Sequence, residues 1–299
     1  MKETTMKLNF ALAVLALTLV TACSPPQQAA APSADGHADH DHASHDHSGP
    51  VTMTATPSGP IIPGQPVTLT LRLADQNGQP IVAEDLAMKH EHLLHVMAVD
   101  AGLEDYAHAH PTANPDGTFS FTFTPRLDRP YRLWADFSLK EAGDGEAGGH
   151  EGHDDHDAGV VYASADLPVG TGAVPPIAAA QSLSAEVEGL RFQVSMESTL
   201  RAGQSTHVRL AIVDAQGRPF THLEPLMGAF AHVVGFNPGA TTMMHVHPDG
   251  AEPTTLDARG GPTLAFTLEP EVAGPQRLFV QVKANGREIT APFTLVVAP

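Results

Sequence analysis

The sequence predicts an all-β protein, two tandem immunoglobulin-like β-sandwich domains preceded by a signal peptide and a disordered, histidine-rich tether. Three observations carry that expectation. Gly and Pro are abundant, 26 of each, and short alternating apolar runs stand between them without long helical periodicity after the N-terminal segment. A block of whole-domain size repeats: Gly64-Gln65, Leu71, Asp75, Gly78 and Pro80 recur as Gly203-Gln204, Leu210, Asp214, Gly217 and Pro219. Each repeat also carries one histidine pattern, His-x12-His-x-His-Pro, at His95, His108, His110, Pro111 and at His232, His245, His247, Pro248.

Residues 1–22 read as a lipoprotein signal peptide, with Lys2 and Lys7 ahead of the apolar run Phe10 to Val20. That run is too short to span a bilayer. Val20-Thr21-Ala22-Cys23 resembles a bacterial lipobox, which makes Cys23 the expected lipidation site and the membrane a partner through an N-terminal lipid. Ser24 after the cysteine is similar to the sorting pattern of outer-membrane lipoproteins, so the expected location is the cell envelope, on the periplasmic face of the outer membrane. Cys23 is the one cysteine of the chain, which excludes a disulfide, a blue-copper centre, a Cys-based zinc site and thiol redox chemistry. The balance of 16 Lys+Arg against 34 Asp+Glu argues against nucleic acid and for cations.

Residues 23–58 form the expected tether, rich in Ala, Pro and Ser. Within it His37, His40, His42, His45 and His47 alternate with aspartates, a composition suited to loose capture of divalent cations. The first sandwich is assigned to 59–170. It opens on the alternating strand Val67, Leu69, Leu71, Leu73, followed by a turn at Asp75 to Pro80. A loop at 140–159 interrupts it and carries His150, His153 and His156 among acidic residues, a second mobile scavenging segment. Residues 171–180 are the linker, and 181–299 the second sandwich, in which Ala284-Asn285-Gly286-Arg287 is a tight hairpin where the first copy has its loop.

The repeated histidines are the candidate metal ligands. On a strand His108 and His110 share a face, as do His245 and His247, and the following proline ends the strand near a sheet rim. The twelve residues before each pair contain Asp100-Ala101-Gly102 or Asn237-Pro238-Gly239, suited to a hairpin that returns His95 or His232 beside it. Five residues before the first histidine stands His90 in one copy and Met227 in the other. The candidate sets are therefore His90, His95, His108, His110 and Met227, His232, His245, His247. Imidazole suits zinc, copper and nickel, and a thioether shifts the preference toward copper. Met97 and Met243 lie on ligand-bearing strand faces, as core filler or extra soft ligands. His92 has no counterpart in the second copy and reads as a surface residue or outer ligand.

The stretch His90-Glu91 to Leu94-His95-Val96, Asp105-Tyr106, His108 and His110-Pro111, with Tyr131-Arg132-Leu133-Trp134-Ala135-Asp136 beyond it, resembles secreted bacterial β-sandwich domains associated with heavy-metal resistance, the YtkA-like or FixH-like family. The second copy resembles them through Gly228 to Phe236 and His245 to Pro248. The resemblance implies an envelope lipoprotein that binds transition-metal ions, copper above zinc or nickel, for buffering, resistance or delivery, with an envelope metal transporter or chaperone as partner. No catalysis is expected. The alternatives are an adhesion or envelope-assembly module with structural histidines, and a zinc-dependent hydrolase, which lacks a matched general base in the two copies.

Overall fold

A computed structural model describes residues 51–88, 92–140 and 160–299. The expected signal peptide, Cys23, the histidines of the expected tether, His37, His40, His42, His45 and His47, the candidate ligand His90, and His150, His153 and His156 lie outside the described residues.

The alternating sequences fold into strands β1 (Thr52–Pro57), β2 (Val67–Ala74), β3 (Pro80–Ile81), β4 (Leu86–Ala87), β5 (His95–Asp100), β6 (Tyr106–Ala109), β7 (Thr112–Ala113), β8 (Phe119–Phe123), β9 (Tyr131–Leu139) and β10 (Val160–Leu167). One sheet runs β1-β2-β8-β7 with β3 on the end of β2; the other runs β10-β9-β5-β6 with β4 on the end of β9. Between them Leu69, Leu71, Leu73, Val96, Ala98, Phe119, Phe121, Leu133 and Ala135 form the first core.

The second copy consists of β11 (Ser184–Val187), β12 (Leu190–Met196), β13 (Thr206–Val213), β14 (Leu223–Glu224), β15 (His232–Phe236), β16 (Met243–Val246), β17 (Thr263–Leu268), β18 (Gly274–Ala284) and β19 (Arg287–Val297). Its sheets are β11-β12-β13-β17 and β16-β15-β18, with β19 along the other side of β18 and β14 at its end. The equivalences β1/β12, β2/β13, β5/β15, β6/β16, β8/β17, β9/β18 and β10/β19 preserve pairing and order. Both copies thus divide their strands as immunoglobulin-like sandwiches do. The hairpin between β18 and β19 turns at Asn285 (φ 54°) and Gly286 (φ 74°), the double positive φ of the tight turn that the sequence predicts.

The first sandwich begins earlier than 59. Strand β1 lies inside the assigned tether, paired with β2 from Thr52↔Ala74 to Pro57↔Leu69. Its threonines and short Ala55 hide the alternation that buries Met53. Residues from 168 onward run along the first sandwich, where Gly172 N–H donates to Asp128 O at 2.7 Å.

A tyrosine fixes the entry to β9. The Tyr131 hydroxyl accepts from the N–H groups of Arg126 and Leu127, both at 3.1 Å, and donates to Asp105. Asp105 in turn accepts from Arg126 Nε at 2.6 Å. This is the tyrosine-corner device of such sandwiches, and the second copy uses Gln276 there, donating to Val272 O at 2.9 Å. Tyr131→Phe removes the hydroxyl, which leaves the Leu127 amide without its acceptor and takes one donor from Asp105, while the Arg126 amide keeps Asp105 Oδ2 at 2.7 Å. The expected cost is about 1–3 kcal/mol in urea denaturation; an unchanged midpoint would show that the corner adds nothing.

The two five-stranded sheets that hold β5 and β15 carry an apolar layer on their outer faces as well. Every residue of β5 and of β15 is buried. Val96, Ala98 and Val233 point into their own sandwiches, whereas Met97, Val99, Tyr106 and Trp134 of the first copy pack on Val234, Phe236, Ala240, Met243 and Phe279 of the second in a third core between the domains. Strands covered on both faces read as continuous apolar runs, as these do. Tyr106 stacks on Phe279 with ring centroids 4.6 Å apart. Gly235 in β15 faces the other way, into the second sandwich, where a Cβ would meet Met244 Cε at 2.7 Å and Leu278 Cδ1 at 3.3 Å.

Candidate metal centre between the domains

Each histidine set is built by one hairpin. In the first copy Asp100 caps the loop after β5, accepting the N–H groups of Gly102, Glu104 and Asp105 at 2.8, 2.6 and 2.7 Å. In the second Asn237 holds the equivalent loop, accepting Thr242 N–H at 2.8 Å and donating to Thr241 Oγ1 at 2.7 Å. Leu103 and Ala240 take positive φ, 55° and 48°, at matching points of the two loops. The hairpins pair Met97↔His108 and Val96↔Ala109, and Val234↔His245 and Val233↔Val246, so the first histidine of each set stands beside the returning pair.

The two sets match ring for ring. His95 and His108 lie 5.6 Å apart at 26°, His232 and His245 5.7 Å apart at 26°. His95 and His110 lie 4.5 Å apart at 89°, His232 and His247 4.5 Å apart at 86°. Nitrogens face one another: His95 Nδ1 is 3.4 Å from His108 Nε2 and 3.0 Å from His110 Nε2, and His232 Nδ1 is 3.4 Å from His245 Nε2. Two nitrogens bound to one tetrahedral zinc at 2.0–2.1 Å stand about 3.3 Å apart, so the rings are already spaced as ligands.

The sequence does not reveal that these sets meet. His108 approaches His232 to 5.0 Å and His245 to 5.2 Å, and His95 approaches His245 to 5.3 Å, distances as short as those within one set. Among the described residues two groups of three could hold a metal ion: His95, His108 and His245, drawn from both domains, and His232, His245 and His247. His95, His108 and His232 are buried, whereas His110 and His247 are half-buried at the rim. Met227 sits half-buried in a turn at φ 51°, next to Leu226, whose carbonyl accepts from His232 Nε2 at 2.9 Å. That bond directs His232 Nδ1 toward the cluster. Met97 and Met243 belong to the interdomain core.

Two further residues belong here: His92, which the sequence offers as a surface residue or outer ligand, and Asp136, which it leaves aside. His92 stacks on His110 with centroids 3.4 Å apart. Asp136 of β9 reaches across to His245, Oδ2 to Nδ1 at 2.7 Å, so that His245 Nε2 faces the other rings. Asp136 stands within the first copy's Tyr131-to-Asp136 motif, but the second copy has Gln281 at that place, beside His232 as Asp136 is beside His95. The contact is reinforced by a reciprocal pair of bonds at the loops: Arg132 Nη1 donates to Ala240 O at 3.4 Å and Arg277 Nε to Leu103 O at 3.0 Å.

Burial sets the charge state. Desolvation, helped by His245, His232, His95 and His110, pushes His108 well below the ordinary imidazole range. The same cause, with His95 next, takes His110 down to about 2. Both are neutral at pH 7 and present lone pairs. Because their folded values are depressed, the unfolded chain binds more protons once the pH falls below about 6.5. Stability of the metal-free protein is therefore expected to fall progressively from about pH 6.5 downward. Urea midpoints with chelator at pH 7.5, 6.0 and 5.0 test this, and His108→Gln with His110→Gln should flatten the slope.

Fold and site together define a class: a tandem β-sandwich protein whose copies join through a buried histidine cluster able to hold a metal ion. The chain belongs to the family described as a domain of unknown function, DUF8832, whose model matches residues 40–144 and 185–299. No curated protein matches it in sequence. Solved structures similar to it include MtrC from Shewanella baltica, 10% identical over 81% of this chain and 68% of that one with a TM-score of 0.24. Invasin, a bacterial integrin-binding protein, is 13% identical over 83% and 40% with a TM-score of 0.21. Escherichia coli α2-macroglobulin activated by porcine elastase is 14% identical over 84% and 22% with a TM-score of 0.22. The chain spans less than half the length of these last two. At such TM-scores none of the three bears on function.

Proposed function

We propose that this chain is a metal-binding lipoprotein of the cell envelope, anchored through Cys23, that buffers transition-metal ions or hands them on, copper above zinc or nickel. The observation that carries the reading is the convergence of six imidazoles, three from each copy, on one interface, with facing nitrogens 3.0–3.4 Å apart within a copy and the ligand atoms of His95, His108 and His245 within 4.8 Å across it. Neutral, preorganised imidazoles favour copper, zinc and nickel over calcium or magnesium. The half-buried His110 and His247 give an ion its path to the rim, and the histidines at 37–47 and 150–156 supply loose capture before it. Binding without turnover fits Asp136, whose carboxylate is engaged by His245 rather than poised as a base. The resemblance to YtkA-like or FixH-like domains points the same way, toward metal resistance with an envelope transporter or chaperone receiving the ion.

The test is equilibrium titration of the full chain with Cu²⁺ and Zn²⁺ against a competing chelator, after the histidines at 37, 40, 42, 45, 47, 150, 153 and 156 have been changed to serine. Tight binding should remain, and should be lost when His95, His108 and His110 are replaced together by alanine. Equal affinity in the two proteins would reject the reading.

A further inference from the structure

The two groups of three histidines are not independent, because His245 belongs to both. Its Nδ1 donates to Asp136, which leaves Nε2 as its one ligating atom, the atom 3.4 Å from His232 Nδ1. One donor atom serves one ion at a time. Nor does the domain boundary divide the rings, since His108 lies nearer to His232 and His245, at 5.0 and 5.2 Å, than to His95 of its own copy, at 5.6 Å. Two divalent ions placed a few ångströms apart in this buried setting, with Asp136 as the contacting carboxylate, would repel each other strongly. Deepening the metal-binding reading above, and resting on it, we propose that the six histidines form a single centre that takes one ion per chain with ligands from both domains. Asp136, acting from the first domain on a ligand of the second, is its positioning residue.

The layer behind the ligands shows how the two halves have diverged. Gln281 occupies the place equivalent to Asp136 and donates through Nε2 to Glu288 at 3.2 Å. Gln281 Oε1 and His108 Nδ1 are both buried and, among the described residues, neither has a hydrogen-bond partner. His245 therefore has an anionic anchor that fixes its tautomer and ring orientation, and His108 has no such partner among the described residues. The ion is held by a centre whose ring geometry is two-fold but whose support is one-sided.

Co²⁺ is a suitable probe because its visible spectrum reports coordination. In the full chain with the eight outlying histidines changed to serine, native mass spectrometry should find one Co²⁺ or Zn²⁺ per chain. His108→Ala in the first domain and His232→Ala in the second should each weaken that same binding step at least about tenfold. Where an alanine variant fails to fold, His108→Gln or His232→Gln replaces it. Asp136→Asn should weaken binding about 10–100-fold and shift the Co²⁺ spectrum, while Asp136→Glu restores part of the affinity and Gln281→Glu does not lower it. Two ions per chain, with His108→Ala and His232→Ala each removing a different one, would overturn the single centre and leave metal binding standing. An Asp136→Asn protein with unchanged affinity and spectrum would overturn the positioning role. No ion bound by the unsubstituted cluster would sink this inference and the metal-binding reading together.

Discussion

Saturating Zn²⁺ is expected to raise the thermal midpoint of the metal-free chain by roughly 8–16 °C when free metal exceeds the dissociation constant a thousandfold. A ligand that binds the folded state alone adds RT ln(1 + [L]/Kd), about 4 kcal/mol at that ratio, and each kcal/mol moves the midpoint of a domain of some 150–250 residues by about 2–4 °C. The cluster meets the condition of state selectivity because its ligands come from β5, β6, β15, β16 and the residues that directly follow β6 and β16, which are brought together only when both copies are folded and docked. The unfolded chain still carries 18 histidines and competes weakly, so the measurement belongs in the background without the outlying eight. Calorimetric scans with Zn²⁺ and after chelation decide the matter: coincident midpoints would mean that the native cluster gives the ion no advantage.

Replacing Trp134 with alanine is expected to cost about 3–5 kcal/mol, the range for emptying a buried aromatic site. Trp134 is 1% exposed and sits between the domains with Met97, Val99 and Tyr106 against Val234, Phe236 and Phe279. Its Nε1 donates to Ala240 O at 3.1 Å, tying β9 to the loop that aims His245 and His247. The loss should therefore register twice, as a lower urea midpoint and as weaker metal binding, because the interface that the ring fills also holds the histidines in register. Trp134→Phe retains most of the volume and loses the hydrogen bond, so its cost should fall between wild type and alanine. A stability loss under about 1 kcal/mol for the alanine variant would show that the interdomain core contributes little to holding the chain together.

Much of this architecture is local and hence legible in the sequence. The x12 spacing is a hairpin whose length is set by Asp100 or Asn237 and a positive-φ residue, and alternation predicts which histidines share a face. What the sequence does not state is which outward face meets which. Residues 95–100 are buried throughout, on one side by their own sandwich and on the other by the second copy, and a run buried on both sides carries no period that tells the two coverings apart. Reading each histidine set within its own domain follows from that silence. Asp136 escapes for a related reason, since a carboxylate on a strand looks solvent-facing until the opposing domain is in place, and the repeat offers no help where the second copy has Gln281. His92 is read from the sequence as a surface residue or outer ligand, and its stacking on His110 is seen only in the fold. Strand β1 is missed because threonine alternating with Met53 and Ala55 imitates a polar tether.

The reciprocal bonds from Arg132 to the Ala240 carbonyl and from Arg277 to the Leu103 carbonyl have the form of an isologous contact, in which one patch meets its own likeness. In a dimer of identical chains any substitution at such a contact appears on both sides of the axis. Tandem linkage in one polypeptide lifts that constraint: an aspartate can stand on one side and a glutamine on the other, and the pair can be tuned one member at a time. Covalent linkage also fixes the ratio of the two halves at one to one and makes their encounter independent of concentration. A site assembled from two surfaces therefore stays assembled when the protein is dilute.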